Sequence, residues 1–297
     1  MLKSNLYQEE QFPSPLRQTW YEFRKSHLAF IGLCILASIT LIVILGPFVT
    51  PYSPLTQNTD ALLVPPAWDG NGGISHVLGT DGLGRDVLTR VIHGSRVTFG
   101  ISVFLVLVAM LIGVLIGAFA GMNTGMRSSI LNHLLDSMMA IPTLLIAIII
   151  VAILGPGLVN SMWAITLALI PQFIHYTRDF VRTEVNKEYV IAARLDGASP
   201  ARIFVFSLLP NMVEMLVVQG TLALSIAILD ISALGFLNLG VQSPYAELGA
   251  MLSEGLDIAY IAPWSIAAPG AAIFIAIISI NVVGDGLRSA LRNRLKY

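Results

Sequence analysis

Apolar runs of about 20 residues recur along this chain, broken by short charged, Gly-rich or Pro-rich stretches. A helix that crosses the hydrocarbon core of a bilayer needs about 20 mostly apolar residues. Backbone amides in hydrocarbon must bond within their own segment, so such runs become helices. Six runs are legible, at 28–49, 97–122, 134–154, 159–180, 212–237 and 263–283. The chain of 297 residues is 55% hydrophobic and 12% charged, against about 25% charged in soluble domains. The expected fold is therefore an all-α polytopic membrane protein with six transmembrane helices. The first run is too long for a signal-peptide core of about 7–15 residues and reads as an uncleaved span.

Charge placement orients the bundle. With six spans, both termini and the loops after the second and fourth spans share one side. Fourteen of the 17 Lys and Arg residues fall there, and only Arg85, Arg90 and Arg96 fall opposite. Cytoplasmic loops carry the excess of Lys and Arg, so both termini and the 182–210 segment are expected in the cytoplasm. Pro142, Pro171 and Pro269 lie inside spans and are expected to kink the helices without ending them. Gly113, Gly117 and Gly121 form a small-residue stripe, read as close intramolecular packing. Tyr245, Tyr260 and Trp264 flank the last two spans as expected interface anchors.

Residues 182–210 predict a helix, a tight turn and a second helix outside the bilayer. Asp196-Gly197 supplies a stop, because Gly takes the left-handed conformation after a helix end. Ser199 is an N-cap and Pro200 fits the first helical position. The second helix is expected to halt at Pro210. Ile203, Phe204, Phe206 and Leu208 are too apolar for a solvated helix, and Ala192, Ala193, Gly197 and Ala198 are small enough for close docking. A partner protein is the expected cover.

This stretch resembles the coupling loop of ATP-binding-cassette (ABC) importer permeases, matching at Ala192, Ala193, Gly197, Leu209 and Pro210. It departs at Ile191 and Ser207, where that family has Glu and Ile. Leu78-Gly-Thr-Asp-Gly-Leu-Gly-Arg-Asp-Val-Leu-Thr-Arg90 resembles the signature of the dipeptide/oligopeptide/nickel permeases, in their C-type subunit. Leu234-Gly-Phe-Leu-Asn-Leu-Gly240 and Glu247-Leu-Gly249 look like further elements of that family. The combination is similar to Sap-type peptide permeases. The resemblance covers nearly the whole chain and implies a type I importer permease with a coupling-helix hairpin.

It also implies partners: a second homologous permease, two ATPase subunits that hold ATP and Mg, a periplasmic binding protein, and lipid. No nucleic-acid partner is expected, and this chain itself is expected to bind no cofactor. The implied location is a bacterial inner membrane. Ala192, Ala193, Asp196, Gly197, Ser199, Arg202 and Pro210 are the expected ATPase-coupling residues. The organisation expected is a cytoplasmic tail (1–27), a first span (28–49), a periplasmic loop (50–96), a five-helix core (97–285) and a basic tail (286–297). The acidic 238–262 loop and the 50–96 loop are the expected docking faces for a delivery protein.

The Gly-rich 78–90 segment lacks the Gly-Lys-Ser/Thr ending of a phosphate loop. Gly79, Asp81, Gly84, Arg85 and Asp86 form the outer-side signature; Asp81, Arg85 and Asp86 read as a local turn with ion pairs that seats the loop against the membrane face or the partner subunit, with direct substrate contact as the alternative. Asp230 falls within the fifth span, where a carboxylate costs roughly 2.5–3.5 kcal/mol to insert. It is either a pathway residue favouring cationic cargo or a carboxylate bonded to a neighbouring span. No Ser-His-Asp order, paired Cys or nucleotide-binding motif is present, so a non-catalytic pore subunit is expected. Peptides, cationic ones first, are the expected cargo, with polyamine or nickel second and export open. A rival class, an ATP-independent secondary carrier, would show internal repeats and several intramembrane charges; neither is legible.

Overall fold

The computed structural model describes residues 14–123 and 126–294. In order, the helices are α1 (Pro15–Lys25), α2 (His27–Val49), α3 (Val87–Met122), α4 (Met126–Met139), α5 (Thr143–Leu154) and α6 (Leu158–Glu184). They continue with α7 (Glu188–Leu195), α8 (Pro200–Ile203), α9 (Leu209–Phe236), α10 (Leu248–Leu256) and α11 (Trp264–Arg294). Among the described residues no strand forms; Thr80 and Asp86 make one isolated bridge. Five helices are long and apolar enough to cross a membrane, and a sixth span results if α4 and α5 are one broken crossing.

That break corrects the expected kink at Pro142. His133–Met139 and Thr143–Leu154 meet at 89°, so the helix ends and restarts. Pro142 cannot donate a backbone bond, and it pushes Ile141 out of the helical region. Pro171 and Pro269, by contrast, remain inside α6 and α11.

The bundle closes around α3 and α6. Gly113, Gly117 and Gly121 face α6 so closely that added Cβ atoms would lie 2.4 Å from Phe173 Cβ, 2.6 Å from Ile174 O and 2.8 Å from Arg178 O. The glycine stripe therefore serves packing within this chain. Leu105, Ala109, Ile165, Leu169, Phe173, Ala227 and Leu234 form the buried centre.

Two extensions escape a hydropathy reading. The second span begins ten residues earlier than expected, because Asp86 caps α3 by accepting from Thr89 N at 2.8 Å. The N-terminal tail contains α1, whose Phe23 packs with Ala29 and Ala290 near the end of α11.

Candidate functional site: a helical hairpin opposite a locked loop

The hairpin begins where α6 ends. Three residues separate Glu184 from α7, and α7 runs eight residues to Leu195. At its end, Gly197 N bonds Arg194 O at 3.1 Å and Ala198 N bonds Ala193 O at 3.1 Å. This Schellman pair satisfies carbonyls that the helix leaves open. Its geometry requires a left-handed residue, and Gly197 adopts φ +81°. Ser199 then accepts from Arg202 N at 3.3 Å and starts α8 with Pro200 next.

The second helix does not halt at Pro210. It passes through a π-helical turn, Phe204–Leu208, into α9. Pro210 has no N–H to give, and the wider turn just before it shifts the bonding register, Leu209 N reaching Phe204 O. Pro200–Phe236 therefore forms one apolar rod of 37 residues, about 55 Å long at 1.5 Å per residue.

The hairpin's apolar residues divide between two fates. Val190, Ile203 and Leu208 are buried with Val114, Ala118, Val181 and Met212, fastening the hairpin's root to α3, α6 and α9. Phe206 stays 75% exposed and Leu195 84%. Ala192, Asp196, Gly197, Ser199, Arg202 and Pro210 are all exposed, and Ala193 is half-buried. The expected coupling residues are thus exposed, apart from the half-buried Ala193.

A polar clasp at the root has no counterpart in the sequence reading. Glu184 accepts from Lys187 Nζ at 2.6 Å and from Tyr189 OH at 2.6 Å. Asn211 Nδ2 reaches Tyr189 OH at 3.4 Å. The end of α6, the start of α7 and the start of α9 are joined there. Burial raises the Tyr189 phenol above its usual pKa, and its bond to Glu184 raises it further. The i, i+3 spacing of Glu184 and Lys187 was the one available signal.

The opposite end of the bundle is built differently. Asp81 Oδ1 accepts from Leu83 N and Arg85 N, and Oδ2 accepts from Arg85 Nε at 2.7 Å and from Arg90 Nη1. Both guanidinium groups also reach Glu254, at 2.7 and 2.9 Å. Asp86 caps α3 with one oxygen and accepts from His76 Nδ1 at 2.9 Å with the other. Burial acts to raise the Asp81 pKa; the Arg85 backbone bond and the charges of Arg85 and Arg90 outweigh it and hold it low.

Glycine and buried carboxylate complete the lock. Gly84, at φ +70°, sits where a Cβ would lie 1.9 Å from Asn58 O, and one on Gly79 would lie 2.5 Å from Val64 O. Trp264 Nε1 donates to Thr80 O at 3.0 Å, so this expected interface anchor also ties α11 to the loop. Glu247 is fully buried and caps α10, accepting from Gly249 N, Ala250 N and Thr98 Oγ1. Burial lifts its carboxyl above the usual range against those bonds. Of the three acids expected to face a delivery protein, Glu247 is inside, Glu254 is paired, and Asp257 is exposed. A cavity of about 400 Å³, lined in part by Arg85, Arg90, Glu254 and Asp257, opens beside this network.

Asp230 is enclosed within the chain at 5% exposure. It accepts a hydrogen bond from Thr143, the first residue of α5. Its Oδ2 has no partner among the described residues.

Comparison with known proteins places this architecture. The profile of the binding-protein-dependent transport system inner membrane components matches residues 113–297. The profile of the N-terminal TM domain of oligopeptide transport permease C matches residues 14–66. The chain is 45% identical over 287 residues to the peptide transport system permease protein SapC of Salmonella typhimurium, covering 97% of both chains. It is 44% identical over 283 residues to the dipeptide transport system permease protein DppC of Escherichia coli K12, covering 95% of this chain and 94% of that one. It is 43% identical over 285 residues to the di/tripeptide permease DppC of Pseudomonas aeruginosa, covering 96% and 94%. The chain belongs to the binding-protein-dependent inner membrane components of the ABC transporter family, in the branch that carries the permease C N-terminal domain.

Proposed function

We propose that this chain is one of two permease subunits of an ATP-driven peptide importer, with the 182–210 hairpin as its coupling element. The single observation that carries the reading is the hairpin: its root is buried, its outward face is open, and its second arm continues into a spanning rod. Two ATPase subunits, holding ATP and Mg, would seat the outward surface around Ala192, Ala193, Asp196, Gly197, Ser199 and Arg202. Pro210 lies where the rod leaves that surface. Closing of the ATPases would shift the hairpin, and α9 would carry the shift into the bundle as a rigid-body change. Nucleotide states must bias the two arrangements differently for this to drive transport. The chain itself would supply no chemistry.

The charge bias of the loops supports a cytoplasmic hairpin and cytoplasmic termini in a bacterial inner membrane. The loop end would then meet a peptide-laden binding protein. Peptide is the cargo supported by the relatives' names. A preference for cationic peptides is the finer proposal, and it rests on Asp230 alone, since Glu247 and Glu254 are taken up inside the fold.

The test is vesicle uptake together with cross-linking. The chain with its permease partner, ATPases and binding protein should take up peptide on ATP addition. The chain alone should not. A Ser199→Cys, Cys34→Ser chain should cross-link to an ATPase subunit. Unaided uptake, or labelling of residue 199 from the binding-protein side, would refute the assignment.

A further inference from the structure

We propose that α1 is an interfacial helix that holds the hairpin end of the bundle to anionic lipid headgroups. At about 100° per residue, Thr19, Phe23, Leu16 and Trp20 fill one sector of α1 about 100° wide, the width of an amphipathic stripe. Arg24 and Arg17 fill the next sector. The protein covers only half of the apolar stripe. Phe23 and Thr19 are buried, with Phe23 against Ala29 and Ala290 and beside Leu287. Leu16 remains 83% exposed and Trp20 47%.

Three observations select lipid as the cover. First, one extended residue, Ser26, separates α1 from α2. The spanning helix exposes Leu28, Phe30 and Ile31 at once, so the open half of α1 lies next to the point where the chain enters hydrocarbon. Second, the adjoining sector is cationic: among the described residues neither Arg17 nor Arg24 has a carboxylate partner in an ion pair. Arg288 and Arg292 add exposed charge on α11, the helix on which α1 packs. Third, an aromatic group of the bare half sits beside a cation, with Arg24 Cζ 5.9 Å from the Trp20 ring centre. An apolar strip buried at the acyl boundary with cations at headgroup level is the binding mode of interfacial helices, and cations near an anionic surface add attraction. The buried half of the stripe is the complement of α11, and the bare half is the complement of a lipid surface.

The test uses the full chain in a Cys34→Ser background, with an environment-sensitive fluorophore at Leu16→Cys or, on the other side of the helix, at Gln18→Cys. In vesicles of phosphatidylcholine with phosphatidylglycerol, a doxyl lipid should quench the label at 16 at least twofold more than the label at 18. Aqueous iodide should show the reverse order. Omitting phosphatidylglycerol should weaken the protection at 16, and Arg17→Gln with Arg24→Gln should remove that dependence on lipid charge. Equal quenching at 16 and 18 would overturn the proposal. So would protection at 16 that appears only once ATPase subunits are added, since a protein would then be the cover. Protection indifferent to phosphatidylglycerol would overturn the anionic assignment.

Discussion

The two ends of this bundle use glycine, charge and small side chains to opposite purposes. At the loop end, every motif residue has its reason inside the chain: Gly84 faces Asn58 O, Asp81 holds two arginines, and Asp86 caps α3. At the hairpin end, Gly197 needs its left-handed φ, yet nothing lies within 4 Å of where its Cβ would be. Ala192, Asp196 and Arg202 point to solvent. Residues whose neighbours are all in their own chain build a structure; residues that form an ordered, exposed surface are open to another molecule. One end is locked and the other is presented.

The largest break in that comparison should come from Asp81→Asn. It leaves Arg85 and Arg90 only the half-buried Glu254 as counter-charge, and breaking a buried ion pair costs up to about 3–5 kcal/mol. A melt of the purified chain should drop accordingly, while hairpin accessibility to labelling stays unchanged. Acid titration sharpens the point. The Asp81 pKa is depressed in the fold, so its contribution is full above the unfolded value of about 3.9 and is lost as pH falls through the folded one. In acid below about pH 4 the Asp81 contribution should be lost, and the Asn variant should lack that part of the acid limb.

Next, matched glycine substitutions should separate the ends. Gly84→Ala drives a Cβ into a carbonyl, and overpacking costs about 1–3 kcal/mol, read as reduced accumulation and a lower melt. Gly197→Val has open space but a strained backbone, about 1–2 kcal/mol. Insertion should survive and ATP-driven peptide uptake should fall more than tenfold. Normal uptake by the Gly197 variant would remove the coupling assignment.

Asp230→Asn should lower uptake of cationic peptides several-fold and leave neutral peptides unaffected; equal loss for both would make Asp230 a packing residue tied to Thr143. The smallest effect should be Ser199→Ala. Loss of an N-cap costs about 1 kcal/mol, seen as faster amide exchange over residues 199–203 with little change elsewhere.

Spans, their number and the hairpin turn were legible in the sequence because each depends on local rules. Twenty apolar residues, a Gly stop and a Ser-Pro start need no knowledge of distant partners. What stayed hidden was non-local. Arg85 and Glu254 are 169 positions apart, so the acidic loop looked free when Glu254 was already paired. Pro210 looked like a stop because a π-helical turn cannot be read from residue types. Helix α1 was hidden because an amphipathic segment of 11 residues falls below any spanning criterion.

The uninterrupted path from Pro200 to Phe236 carries a mechanical consequence. A stiff shaft about 55 Å long, pivoting by about 5°, swings its far tip by roughly 5 Å, close to one helical turn. Asp230 rides near that tip, with its oxygen resting on the first residue past the fracture in the third crossing. A nudge on the exposed elbow would then be felt beside the 89° break between α4 and α5.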